Sequence, residues 1–253
     1  MRFASLGSGS RGNACLVEAG TTRLLLDCGF SARELERRLG QLEIDAASLE
    51  GILVTHEHQD HVRGVGALAR RYRLPVWLTH GTQRCRSLGE LPEARLIHAQ
   101  QPAFRIGALS VTAYPVPHDA REPVQFVFSH ASSRLGVLTD VGVITPHIVA
   151  TLSACSALFL ECNHDPEMLA NGPYPPALQR RVGGSLGHLS NQQAAGLLRQ
   201  IDHPGLQRLV IGHISEKNNT PGHVTEALER AVPRIEQRLA LTSQESVSHW
   251  YEA

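Results

Sequence analysis

Up to Thr55 the apolar residues fall in short β-type runs. Cys15–Glu18 and Thr22–Leu26 are two of them, joined through Ala19, Gly20 and Thr21 by a hairpin-like turn. Leu24, Leu25 and Leu26 are apolar without a break and stop at Asp27, the pattern of a strand buried on both faces. The period then changes. Ser31 and Glu34 have capping-box spacing, and Leu35 and Leu39 form an i, i+4 stripe, so a helix follows. Gly51–Thr55 is a second buried strand that runs straight into His56-Glu57-His58-Gln59-Asp60-His61, and Val62–Arg71 has helical composition. Strand-like pieces at Val76–Leu78, Leu109–Tyr114, Val124–Phe128 and Arg134–Leu138 come next, separated by Pro and Gly.

After Asp140 the order repeats more loosely, with a helix at Thr145–Leu152, a strand at Ala157–Glu161 and a Pro/Gly-rich stretch from Asp165 to Gly187. Ser190 and Gln193 form a second capping box opening a helix through Gln200. Gln207–Ile211 is a strand, and Thr220 followed by Pro221 opens the last helix. No linker is long or polar enough to divide the chain. The pattern predicts one α/β domain over residues 1–253, built from two similar halves.

Composition narrows the class. With 253 residues, 42% of them hydrophobic, the chain can bury a full core without disulfides or a structural metal. Lys and Arg total 24, as do Asp and Glu, so a general polyanion binder is disfavoured while a local basic groove stays open. Five Cys form no C-x-x-C pair, which predicts a reducing, cytoplasmic setting. No apolar run reaches the length of a membrane span, the N-terminus lacks a secretory signal pattern, and no charged tail points to a protein partner.

The 14 His are the unusual feature. His56, His58, Asp60 and His61 put four possible metal ligands within six residues directly after a strand. The period-2 spacing of His56 and His58 lets their rings point the same way. Imidazole and carboxylate together suit Zn²⁺, Mn²⁺ or Fe²⁺. His118, Asp140 and His213 each follow a predicted strand, whereas His80, His98, His130, His203 and His249 are isolated and receive no role.

H-x-H-x-D-H after a buried strand, followed in order by His118-Asp119, Thr139-Asp140 and His213, resembles the metallo-β-lactamase superfamily. The resemblance implies an αββα sandwich, two mixed β-sheets flanked by helices. It also implies two divalent ions. His56, His58 and His118 would hold one, Asp60, His61 and His213 the other, and Asp140 would bridge them. Asp27 matches an orienting, non-ligating Asp. Glu161, His188 with Asn191, and His213 with Ser215 further resemble the RNA 3′-processing (tRNase Z) branch, where a His and a Glu form a proton-transfer pair. Carried over, His188 is the general acid and Glu161 its partner.

The segments Ser5–Asn13, Thr55–His61, Gly187–Asn191 and His213–Asn219 are together similar to the YycJ/WalJ family, regarded as 5′-to-3′ exonucleases on double-stranded DNA. The interval from Asp140 to His213 is too short for the inserted cap domain of β-CASP nucleases. The resemblance therefore implies a metal-dependent phosphodiesterase acting on DNA ends, with a hydroxide shared by two Zn or Mn ions as nucleophile and Asp60 among the catalytic residues. Ser8, Ser10 and Asn13 lie in a small-residue loop that reads either as an anion nest for a substrate phosphate or as a tight turn. Asn219 follows a predicted ligand and is a further substrate-contact candidate; Arg180 and Arg181 are either phosphate contacts or a solvated pair. A small-molecule hydrolase on the same fold (cyclic-nucleotide phosphodiesterase, lactonase or thioesterase) is the alternative, since few aromatics are present to stack single strands. Cys28 and Cys162 read as buried small hydrophobes.

Overall fold

In the computed structural model, which describes Met1–Ala253, the Leu24–Leu26 run is buried on both sides, as its composition predicts. Leu24 and Leu26 join an apolar cluster with Phe126, Val137, Phe159 and Val210, while Leu25 joins a different one with Leu35, Leu39 and Leu68. The same alternation recurs across the molecule: Phe159 faces the first cluster, and its neighbours Leu158 and Leu160 face a third, with Leu197, Leu198 and Leu228. Three apolar layers between four structural layers make helix, sheet, sheet, helix. This is the αββα arrangement expected from the sequence. Truncating Leu25 or Leu158 to Ala would cost about 2–5 kcal/mol through lost burial and a residual cavity.

The first sheet contains β1 (Arg2–Gly7), β2 (Ala14–Ala19), β3 (Thr22–Leu26), β4 (Gly51–Leu53), β5 (Pro75–Thr79) and β6 (Glu93–Ile97) in that order, with β14 (Tyr251–Glu252) outside β1. Its β1–β3 part is antiparallel and β3–β6 is parallel. The second sheet runs β7 (Phe104–Ile106), β8 (Leu109–Pro115), β9 (Val124–His130), β10 (Ser133–Leu138), β11 (Ala157–Glu161), β12 (Arg208–Gly212) and β13 (Leu239–Leu241). It too is antiparallel from β7 to β10 and parallel from β10 to β13. In both sheets the ends of the parallel strands open onto one edge of the sandwich, and loops there carry the polar site.

Helices α1 (Ala32–Gly40), α2 (Gln59–Val62), α3 (Val65–Tyr72) and α4 (His80–Gln83) belong to the first half. The second half holds α5 (Pro146–Leu152), α6 (Pro166–Asn171), α7 (Pro176–Val182), α8 (Asn191–Ile201) and α9 (Pro221–Ala231). None is long and apolar enough to cross a membrane. The Ser190–Gln193 capping box forms with both reciprocal hydrogen bonds, and Thr220 caps α9 through His223 N–H.

Three sequence expectations are corrected. Ser31 caps α1 by accepting from Glu34 N–H, but the Glu34 side chain accepts from Arg37 and Arg38 and never returns to the cap. The helix predicted over Val62–Arg71 is two helices. Gly64 N–H donates to Cys28 C=O, and a Cβ at Gly64 would lie 2.1 Å from Phe30 O, so the backbone must leave the helix where it presses on the β3–α1 loop. The Asp165–Gly187 stretch contains α6 and α7, the first capped by Asp165 accepting from Glu167 and Met168 N–H. Proline at the first turn starts these helices and does not prevent them.

Candidate metal centre

Each predicted ligand sits just past a strand end. His56 and His58 leave β4, His61 lies on α2, His118 follows β8, Asp140 follows β10 and His213 follows β12. Asp27, Asp140 and His213 adopt left-handed backbone with φ of 60°, 52° and 52°. Non-glycine residues pay about 1–2 kcal/mol for this conformation, so the surrounding contacts must hold them there.

Hydrogen bonds fix which ring nitrogen each His presents inward. His118 Nδ1 contacts Gly187 C=O at 3.1 Å, His58 Nε2 contacts Asp119 C=O at 3.2 Å and His56 Nδ1 contacts Thr55 Oγ1 at 3.0 Å. That leaves His56 Nε2, His58 Nδ1 and His118 Nε2 for a ligand, and the ligand atoms of these three residues lie within 4.8 Å of one another. His56 Nε2 is buried and has no hydrogen-bond partner. A buried polar atom with nothing to bond points to a group that completes it, and converging imidazole nitrogens are the donor set a divalent ion takes.

A second cluster adjoins the first. His61 Nε2 lies 3.3 Å from Asp140 Oδ2, and Asp140 Oδ1 lies 3.2 Å from His213 Nδ1. Asp140 thus stands between the two groups. Asp60, in the first turn of α2, has its carboxylate 3.6 Å from His61 Nε2, on the rim. Asp27 makes no contact with the cavity. Its carboxylate accepts from Thr55 N–H at 2.9 Å and Thr55 Oγ1–H at 2.8 Å, and its Oδ2 lies 2.8 Å from His61 Nδ1. Such outer carboxylates orient a ligand ring and raise its basicity.

Glu161, fully buried at the end of β11, accepts from Val141 N–H and Leu189 N–H through Oε2. Its Oε1 lies 2.8 Å from His188 Nδ1 and 3.4 Å from His213 Nδ1. His188 lines the cavity, and with Nδ1 turned to Glu161 its Nε2 is free of that contact. Burial pushes the His188 imidazole down, but Glu161 outweighs it and holds the ring above the usual range. Burial likewise opposes charge on His61 and His213; the carboxylates, Asp140 foremost, raise His61 well above its ordinary value and His213 to about 9. His56 and His118 go down, burial being the largest cause. Asp140, though buried, is held well below the carboxylate range by His213 and His61.

Of the predicted substrate contacts, Ser10 and Arg181 line the cavity. Ser8, Asn13 and Asn219 are buried and spent on internal hydrogen bonds. Ser8 Oγ accepts from His213 N–H at 2.8 Å and contacts Asn13 Oδ1 at 3.2 Å. Asn13 Nδ2 reaches Asp60 Oδ2 at 3.3 Å and His61 Nε2 at 3.1 Å. Asn219 exchanges two amide hydrogen bonds with Asn191 at 2.9 Å. These three side chains brace the loops behind the cluster and do not face the opening. Arg181 is at the rim, its Nε 2.6 Å from Asp119 Oδ2. The cavity above the cluster measures about 340 Å³ and includes Tyr174, Leu178, Val182 and Ile214, none foreseen from sequence. Tyr174, Leu178 and Val182 recur at i, i+4 and i+8, a signal present in the chain but hidden in a Pro/Gly-rich stretch.

A strand-end His/Asp cluster between two mixed sheets defines a hydrolase of the metallo-β-lactamase superfamily, and a family described as "Beta-lactamase superfamily domain" matches residues 22–214. The chain belongs to that superfamily and, within it, to the YycJ/WalJ exodeoxyribonuclease family. It is 33% identical over 222 residues to exodeoxyribonuclease YycJ of Bacillus anthracis, covering 87% of this chain and 84% of that protein. It is 30% identical over 223 residues to exodeoxyribonuclease WalJ of Streptococcus pneumoniae, covering 86% and 83%. The metallo-β-lactamase fold protein YhfI of Bacillus subtilis superposes with a TM-score of 0.76 over 98% of both chains at 15% identity. The short form of human tRNase Z gives 0.67 over 98% and 99% at 17%; likeness at these identities is of fold alone.

Proposed function

We propose that the chain acts as one hydrolase domain, a dinuclear metal-dependent 5′-to-3′ exonuclease on double-stranded DNA. The observation that carries this reading is His188, which lines the cavity beside the His/Asp cluster with its Nδ1 2.8 Å from the buried Glu161. Membership of an exodeoxyribonuclease family supports DNA as the substrate. His56, His58 and His118 would hold one ion, and Asp60, His61 and His213 the other, with Asp140 between them; Zn²⁺ and Mn²⁺ suit these ligands, and Fe²⁺ is compatible. Bound there, the ions supply Lewis-acid activation of water and neutralisation of phosphate charge.

The protein's own groups do the rest. His188, charged through Glu161, offers its Nε2 proton to the oxygen that leaves phosphorus. Glu161 keeps the proton on Nδ1 and fixes the ring plane. Asp27 holds His61 through Nδ1, and Gly187 C=O holds His118 through Nδ1, so both rings keep Nε2 directed inward. Asn13 and Ser8 tie the β1–β2 loop to Asp60 and His213, and Ser10 is left to meet the substrate.

The test is turnover of a 5′-phosphorylated, 3′-labelled duplex with Zn²⁺ or Mn²⁺, beside bis-p-nitrophenyl phosphate and a lactone. Stepwise loss of 5′ nucleotides, abolished in Asp140→Ala and lowered about 10²–10⁴-fold in His188→Ala, supports the proposal. Hydrolysis of the small esters with the duplex left intact selects a small-molecule hydrolase.

A further inference from the structure

The apolar residues of helix α7 face the cavity over the His/Asp cluster and not a core. Leu178 and Val182 lie one turn apart on α7, Tyr174 sits in the bend just before it, and α7 buries no residue. Those three side chains are half-buried and line the cavity over the His/Asp cluster. Ile214, next to His213, completes the apolar part of the lining, and the remaining walls are polar. Arg181 lies at the rim of the same face and ties α7 to the His118 loop through Asp119. An apolar helix face turned toward a reaction centre and away from the core is partnered by what occupies the cavity.

We propose that this face is the base subsite for the terminal nucleotide of the DNA strand. The inference rests on the nuclease reading above and adds what the cavity recognises. The occupant must present an apolar ring to Tyr174 and Leu178 while its phosphodiester reaches the His/Asp cluster. A nucleotide joins those two chemistries in one unit. A cavity of about 340 Å³ is at the small end of ligand sites, a size that suits one nucleotide. Apolar walls grip every base by its face, so the subsite is indifferent to sequence. Admitting a base requires its pair to open, which is easiest at a duplex end. Such a subsite would favour attack at a duplex end.

The test compares duplexes whose 5′-terminal nucleotide carries a base or is abasic, on metal-loaded wild type, Tyr174→Ala and Tyr174→Phe. Melting curves and metal content report that each variant is folded and loaded. Wild type is expected to prefer the base-bearing end about 5- to 100-fold in kcat/KM. Tyr174→Ala should lose most of that preference and Tyr174→Phe keep it. Equal rates on both ends for wild type, or an undiminished preference in Tyr174→Ala, overturns the subsite while leaving the nuclease in place. A duplex left intact while bis-p-nitrophenyl phosphate is hydrolysed removes the nuclease reading and the subsite with it.

Discussion

Replacing Glu161 by Gln removes a charge while keeping the shape of the side chain. In the wild type Oε2 accepts from two backbone N–H groups, Val141 and Leu189, and Oε1 faces His188 Nδ1 at 2.8 Å. A Gln must turn its oxygen toward those two donors, which leaves its NH₂ aimed at His188. The ring then has to accept at Nδ1 and carry its proton on Nε2 as a neutral imidazole, a much weaker acid. A hydrogen bond to a charged group contributes about 1.5–3 kcal/mol, so its loss lowers the ratio of charged to neutral His188 roughly 10- to 100-fold. The sign is definite. Glu161 raises the His188 pKa, so the wild-type acid form persists to higher pH than an ordinary imidazole. In Glu161→Gln the rate loss should therefore be small near pH 5.5 and grow through the alkaline range to about 10–100-fold. Initial rates on labelled duplex between pH 5.5 and 9, with metal saturating at each point, would measure it. A loss of the same size at every pH would refute the assignment of Glu161 as the group that holds the proton.

Three other outcomes follow from the same geometry. Because His213 is raised to about 9 in the metal-free protein and His61 is also raised, both must lose protons when a metal binds. Affinity should rise about tenfold per pH unit for each proton released, and chelator competition between pH 6 and 8 would show a slope above one. Asp27→Asn should weaken metal binding about 10–100-fold without removing a ligand, measured by metal content after dialysis against chelator. Burial pushes Cys15 up to about 12 and also raises Cys28 and Cys162, while Cys85 is half-exposed. Iodoacetamide at pH 8 should accordingly label Cys85 first, as peptide mass spectrometry would report.

The parts of this molecule legible in its sequence are those where chemistry and period coincide. His56 and His58 could be placed because a β-strand has a side-chain period of two, and Ser190 with Gln193 because a capping box is local. Residues whose role depends on distant partners were not legible in the same way. Ser8 and Asn13 look like a phosphate loop until the structure shows Ser8 holding His213 N–H and Asn13 holding Asp60. The break at Gly64 is set by Phe30, a neighbour in space only. Leu178 and Val182 carry the helical spacing of α7, but the Pro and Gly around them mask it, and Tyr174 comes beside them from the bend before the helix.

The site draws one set of groups, from Asp27 to His61, out of the first sheet and another, from His118 to His213, out of the second. The β1–β14 pairing, Arg2 opposite Glu252, closes the first sheet with the two ends of the chain. Neither half possesses a working centre. A polypeptide still being synthesised cannot assemble one until His213 has emerged and folded against Ser8, and a molecule nicked in two between the sheets loses it on separation. For an enzyme proposed to erode DNA from its ends, the order of synthesis delays the site until His213 is made, with α9, β13 and β14 still to follow.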